Sequence, residues 1–281
     1  MLVFSSAKEL LAALHPPFTS LGLVPTMGAL HQGHLSLVER AMKENSHVVV
    51  SIYVNPTQFN RLEDLERYPR NIEEDLKTLA PYSSKAVVYA PTDEDLYPAG
   101  IQAKSYAFGT LTQYLEGAYR PGHFDGVATV IESLFSKISP TKAYFGEKDF
   151  QQVQVIKALV ALLALEVEII SCPILRAEDG LALSSRNVLL TTVQREAAPK
   201  LYQTLQTIIE KRNQWNVQEM TAHFFEQIEA VANFTIDYFA VADPKTLEPV
   251  DQLFPSKSYR IFVAVYAGAT RLIDTVEFHR K

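Results

Sequence analysis

The chain has 281 residues, 47% of them hydrophobic, with a formal net charge of −6 and a pI of about 5.7; this predicts one large domain with a smaller one and excludes the basic footprint of a nucleic-acid binder. Its single cysteine, Cys172, excludes an internal disulfide and a cysteine-built zinc site. No apolar run approaches the roughly 20 residues of a membrane span, and the N-terminus carries no secretory signal, so a cytoplasmic protein with no membrane partner is expected.

Residues 2–4 read as a short strand, and Ser6 with Glu9 has capping-box spacing for a helix that runs through Leu14 and is ended by Pro16 and Pro17. Residues 21–24 are the apolar run of a buried strand, residues 25–28 break it, and Leu35, Val38, Ala41 and Met42 recur at helical spacing. Residues 48–54 form a β-branched run almost without polar alternation, as in a strand covered on both faces, and deliver a polar loop at 55–59. Asn71 and Glu74 offer cap spacing for a helix through Leu79, followed by a buried strand at 86–89. The alternation continues with a helix at 127–138, a strand at 142–145, a helix at 150–165 and a strand at 167–172. Such alternation predicts parallel strands joined by right-handed crossovers, hence a Rossmann-like sheet over residues 1–175. Past Arg176, two long amphipathic helices at 193–212 and 217–231 precede strands at 236–241, 260–265 and 271–278. Helices followed by strands predict an α+β unit over residues 176–281.

The chemistry lies in polar loops. Residues 24–38 read VPTMGALHQGHLSLV, a strand, a glycine-containing turn and a helix. At such a junction free backbone N–H groups and the positive end of the helix dipole favour a phosphate, and His31 and His34, at i and i+3 on one helix face, could point at one anion. A capping or solvated histidine is the plainer reading; a metal pair is disfavoured because the zinc-protease pattern needs i, i+4 spacing with an intervening Glu. In VNPTQF, the uncharged amides of Asn55 and Gln58 could bind a carboxylate and hydroxyls without burying another charge, although Pro56 also marks a simple turn. In YFGEKDFQQ, Lys148 beside Gly146 suits phosphate oxygens and Asp149 can orient a hydroxyl, a metal-bound water or the lysine; a helix start capped by Asp149 is the alternative. In DGLALSSRN, two hydroxyls and the Arg186 guanidinium on a mobile loop could close over a triphosphate, against the plainer reading of a polar loop and helix cap. Residues 116–128 offer Arg120 and His123 beside two glycines, or a turn that caps the helix after Asp125. The joint order decides: four loops each follow a strand of one predicted sheet and would gather along one edge.

With PTMGALHQGH, VNPTQF, EGAYRPGHFDGVATV, FGEKDFQQ and DGLALSSRN in this order, and ADPKTLEP and GATRLID near the C-terminus, the chain resembles the pantothenate synthetases, or pantoate–β-alanine ligases, over nearly its whole length. The resemblance implies a Rossmann-like nucleotidyltransferase domain of HIGH type with a parallel sheet, holding ATP and pantoate within residues 1–175. It implies a smaller C-terminal α+β lid domain, 176–281, carrying the SSRN loop, and a cytoplasmic homodimer. The implied reaction joins (R)-pantoate to β-alanine: the pantoate carboxylate attacks the α-phosphate of Mg-ATP, giving pantoyl adenylate and pyrophosphate, and the amine then displaces AMP. Carried over by position, Met27, Gly28, Ala29, Leu30, His31, Gln32, Gly33 and His34 would contact ATP, with His34 in the part of proton donor. Gly146, Glu147, Lys148 and Asp149 would hold the nucleotide, as would Leu183, Ser184, Ser185 and Arg186, with Leu175 on the adenine side. Lys148, Ser184, Ser185 and Arg186 would lie on its phosphates and share the catalytic work with the two histidines. Gln58 would bind pantoate and then β-alanine, Gln152 pantoate, and Asn55 would assist; no residue is expected to ligate a metal, Mg²⁺ arriving with ATP.

Asn60, Leu183 and Thr275 depart from residues common in the family, Gly, Met and Asn respectively, which puts local loop geometry in question. Another nucleotidyltransferase, acting on a phosphate monoester, would need cations where Gln58 and Gln152 stand. A regulatory module that lost its chemistry is disfavoured by intact His31, His34, Lys148 and Arg186, and a metal-dependent hydrolase is more distant still.

Overall fold

The computed structural model describes residues 1–14 and 19–281, so the expected helix stop at Pro16 and Pro17 lies outside the described residues. In chain order the elements are β1 (Val3–Phe4), α1 (Ala7–Leu14), β2 (Leu21–Thr26), α2 (Gln32–Glu44), β3 (His47–Ile52), α3 (Leu62–Arg67), α4 (Ile72–Leu79), β4 (Ala86–Tyr89), α5 (Asp93–Leu96), α6 (Glu116–Tyr119), α7 (His123–Ile138), β5 (Lys142–Gly146), α8 (Phe150–Leu162) and β6 (Glu168–Cys172). There follow α9 (Thr192–Ala197), α10 (Lys200–Glu210), α11 (Val217–Glu229), β7 (Phe234–Ala242), β8 (Ser258–Ala267) and β9 (Thr270–His279). They form two compact units, Met1–Phe108 with Arg120–Ile174, and Gly109–Tyr119 with Leu175–Lys281. No helix among the described residues is long and apolar enough to cross a membrane.

In the first unit the parallel strands take the order β1-β4-β3-β2-β5-β6. The valines of β3 and the leucines of β2 are fully buried because helices cover the sheet, and Leu35, Val38 and Ala41 of α2 pack on Val24, Val48 and Val50. From β2 the chain steps outward through β3 to β4, then returns to the other side of β2 with β5 and β6. That reversal makes the carboxyl ends of β2 and β5 the switch point, where open α/β sheets take their ligands. The ladder is open there: β2 pairs with β3 along its whole length, but with β5 only at Gly22↔Lys142 and Leu23↔Ala143.

The second unit is a β7-β8-β9 antiparallel sheet backed by α10 and α11. Leu201, Leu205 and Ile208 on one helix, and Met220, Phe224 and Ile228 on the other, form the apolar stripes that meet Ile261, Val263 and Val265 of β8. The single helix expected at 193–212 is two, α9 and α10. Pro199 stands between them, lacking an N–H and crowding the carbonyl four residues earlier. The helix expected at 150–165 ends at Leu162, and the one expected from Val127 starts four residues earlier, at His123. Residues 109–119 join this second unit because Glu116 accepts two hydrogen bonds from Arg271, at 2.8 and 2.7 Å, and one from Tyr238 at 2.9 Å.

Candidate active site

The turn between β2 and α2 is built by two residues in the left-handed region, Gly28 at φ +77° and Ala29 at φ +49°. Its backbone donors are occupied. The Gly28 N–H meets the Thr26 hydroxyl at 3.2 Å, and the Ala29 and Leu30 N–H groups meet the two carboxyl oxygens of Asp75 at 3.0 and 2.7 Å. The expectation that free amides at this junction bind a phosphate is therefore corrected for these three: protein acceptors already satisfy them. His31 is not on a helical face either; it is the extended N-cap of α2, with His34 at the third helical position. Its Nδ1 accepts the Gly33 N–H at 3.1 Å, and the His34 Nδ1 accepts the His31 N–H at 3.4 Å, a reciprocal capping box made of imidazoles. An Nδ1 that accepts cannot carry the proton of a neutral ring, so both rings present Nε2–H as donors. The ring centroids lie 4.1 Å apart. Burial first, then the Lys148 ammonium, pushes His31 down to about 4, with Asp149 opposing; burial, His31 and Lys148 push His34 down to about 3. At neutral pH the pair is uncharged.

Lys148 follows the end of β5 across the switch point, half-buried and 3.6 Å from the Asp149 carboxylate. Asp149 occupies the N-cap position of α8 without making a side-chain capping bond, and Gln152 is half-buried in the first turn of that helix.

After β3, Pro56–Gln58 form a single 3₁₀ turn. Asn55 is 1% exposed and fully engaged: its NH₂ donates to Gln58 Oε1 and the Gly126 carbonyl, both at 3.1 Å, and its Oδ1 accepts from Thr57 at 3.0 Å and from Tyr97. With both donors and both lone pairs used, Asn55 braces the turn that carries Gln58. Gln58 consequently aims its own NH₂ at the Met27 sulfur, 3.0 Å away. Its carbonyl is held by His123 Nδ1 at 2.8 Å and by Arg120 at 3.3 Å. The approach of α7 to this turn requires Gly126, where a Cβ would lie 2.2 Å from the Thr57 carbonyl oxygen. Asn60 donates to the Pro121 carbonyl, a tie that a glycine there could not make.

In the second unit, residues 175–183 form a narrow hairpin, with Leu183 N–H donating to the Leu175 carbonyl at 3.0 Å. Ser184 caps the 3₁₀ turn Ser185–Leu189: its hydroxyl accepts the Arg186 N–H at 3.2 Å, and Asn187 accepts the Ser184 N–H at 2.7 Å. Leu175 is 40% exposed, Ser185 buried. The hairpin is anchored by Arg176, whose guanidinium bonds both oxygens of the buried Asp274 at 2.6 and 2.8 Å and stacks 3.6 Å above the Tyr202 ring. Thr275 donates its hydroxyl to the Ile261 carbonyl at 2.7 Å inside the sheet.

Sequence reasoning missed Asp75, Tyr97, Arg176 and Asp274. Only Asp75 carried a signal, as a carboxylate four residues before Leu79 on the buried stripe of α4.

Comparisons place this arrangement among known proteins. The sequence pattern described as pantoate-beta-alanine ligase matches residues 3–277. A pantothenate synthetase of Christiangramia forsetii is 45% identical over 92% of this chain and 91% of its own length, and one of Flavobacterium psychrophilum 41% identical over 98% and 99%. The crystal structure of pantothenate synthetase from Thermus thermophilus superposes with a TM-score of 0.91 at 44% identity, covering 99% of this chain and 100% of that one. The pantoate-beta-alanine ligase from Francisella tularensis, solved in complex with beta-gamma ATP and beta-alanine, gives 0.82 at 36% identity over 98% and 97%. The chain belongs to the pantoate-beta-alanine ligase family.

Proposed function

We propose that this chain condenses (R)-pantoate with β-alanine in an ATP-dependent reaction, yielding pantothenate, AMP and pyrophosphate through a pantoyl adenylate. The observation that carries the reading is the paired, neutral His31 and His34 rings, 4.1 Å apart after β2, within the field of the Lys148 ammonium that follows β5, where the two strands part. A carboxylate is a poor electrophile, and adenylation supplies the leaving group that an amine can displace. In the first step the pantoate carboxylate attacks the α-phosphorus and pyrophosphate leaves. Negative charge shifts onto phosphate oxygens, and donors already oriented toward it stabilise that shift without reorganising. On this reading His31, His34 and Lys148 contact those oxygens, and His34 acts as a hydrogen-bond donor rather than a source of a full proton. Gln58 offers its NH₂ to pantoate and then to β-alanine, and Gln152 binds pantoate.

The nucleotide arrives as its Mg²⁺ complex, the ion carried by the phosphates. We assign ATP and pantoate binding to residues 1–175 and a lid role to 176–281, with Ser184, Ser185 and Arg186 reaching the phosphates and Leu175 and Leu183 the nucleoside side. A cytoplasmic homodimer fits the family resemblance.

The test is pyrophosphate release from Mg-ATP and D-pantoate, with and without β-alanine, following AMP in parallel. About one equivalent per site with pantoate alone, turning continuous with β-alanine, is expected. Tight ATP binding with no release in either condition would refute the reading in favour of a binding module.

A further inference from the structure

We propose that Asp75, outside the motifs that mark the site, is a positioning residue: its carboxyl clasps the β2–α2 turn and thereby sets the direction in which His31 and His34 present their donors. The proposal rests on the ligase reading only for its catalytic consequence.

Asp75 lies on α4 and is 3% exposed, so a carboxyl has been buried at this place. It accepts the Leu30 N–H with one oxygen and the Ala29 N–H with the other, 45 and 46 residues away in sequence. These two amides belong to the least favourable stretch of backbone in the turn. Ala29 is left-handed without being glycine, and Gly28 beside it packs so tightly that a Cβ would lie 2.8 Å from the same Asp75 oxygen. Thr26 holds the opposite side, accepting from Gly28 and donating to the Ser51 carbonyl at 2.7 Å. The next residue after the clasped pair is His31, whose extended conformation allows it to cap α2 and lock both imidazole Nδ1 atoms as acceptors. Release of the Ala29–Leu30 amides therefore acts on the rings through one peptide link. Burial raises the Asp75 carboxyl above its ordinary range while the two amides oppose the rise.

Asp75→Asn keeps the shape but turns one acceptor into a donor facing an N–H. The ¹⁵N signals of His31 and His34 should move from the single Nε2–H tautomer toward a mixture, and the Ala29 and Leu30 amides should lose hydrogen-exchange protection. The kcat of pantoate-dependent pyrophosphate release should fall about tenfold or more, since a displacement near 1 Å can reduce rates by about 10²-fold. The urea midpoint should fall as well, since one buried N–H is left facing a donor, so the tautomers and kcat are the readouts that tell positioning from mere support. Unchanged tautomers and kcat with a lowered midpoint would overturn the proposal. Gly28→Ala, pressing on the same carboxyl, carries the same imidazole readout if Asp75→Asn does not fold. Should the wild type release no pyrophosphate, the ligase reading fails, while tautomer and exchange still judge the clasp.

Discussion

The neutrality of the histidine pair makes a quantitative prediction about acid. In the unfolded chain both rings take up a proton near pH 6.5; in the folded protein they do so only at about 4 and about 3. Between those limits the unfolded state binds more protons, so the stability these rings contribute is complete above pH 6.5 and lost as pH falls toward the folded values. From pH 7 to pH 5 the linkage gives a loss of about 2 kcal/mol per ring, because a group with pKa 6.5 is almost fully protonated at pH 5 and one at 4 or below is almost neutral. Urea unfolding of the wild type should therefore be steeper in acid than that of His31→Asn/His34→Gln, in which Asn keeps the capping acceptor and neither side chain titrates. Direct NMR titration of the imidazoles supplies the local reading, free of any assumption that the two units unfold together. Either ring titrating at or above pH 6, or equal acid sensitivity in the two proteins, would refute the argument that burial and Lys148 hold the pair neutral.

Lys148→Ala should lower adenylate formation by about 10²-fold, as expected for a lost transition-state charge contact, and should raise both imidazole pKa values by removing the cation beside them; near-normal pyrophosphate release would count against its role. Gly126→Ala drives a methyl into the Thr57 carbonyl and pushes the Gln58 turn off α7, so the KM for pantoate should rise by about tenfold or more while ATP affinity holds; equal loss of both would place the effect elsewhere. Arg271→Met leaves Glu116, and Asp237 at 2.9 Å, without their cation, and should reduce stability by about 3–5 kcal/mol in urea unfolding. A loss below about 1 kcal/mol would show the pairs to be replaceable.

What could be read from the sequence was local. The strand, turn and helix at 21–44 announce themselves by an apolar run, a Pro and a Gly, and apolar spacing near 3.6, all within one window. The stripes at Leu201, Leu205 and Ile208 are equally plain, yet the same stripe hid the break at Pro199, since periodicity continues across a proline that hydrogen bonding does not. Residue types at the site were legible for the same reason, and their supports were not. Asp75 reaches its amides from 45 and 46 residues away, Tyr97 meets Asn55 across 42, and Arg271 meets Glu116 across 155. No window contains such pairs, and the hydrogen bonds that tie Asn55 to Thr57, Gln58, Tyr97 and Gly126 are of the same kind, invisible beside the amide itself.

That distinction also bears on how the chain would hold a triphosphate. In many α/β proteins the glycine turn binds the anion with its own amides. Here three amides of the turn are taken up by Thr26 and Asp75, so on the proposed reading the imidazoles of His31 and His34 and the Lys148 ammonium would take over that part. A second cation beside Lys148 would repel it, whereas two neutral imidazoles can stand there, and a reciprocal capping box fixes their donors in place before any ligand arrives. The turn thus uses its backbone to hold a strained shape, and the shape delivers rigid neutral donors next to one cation. Groups of that kind can bear more on the oxyanion as charge develops than on the resting phosphate, which is the property a catalyst of phosphoryl displacement requires.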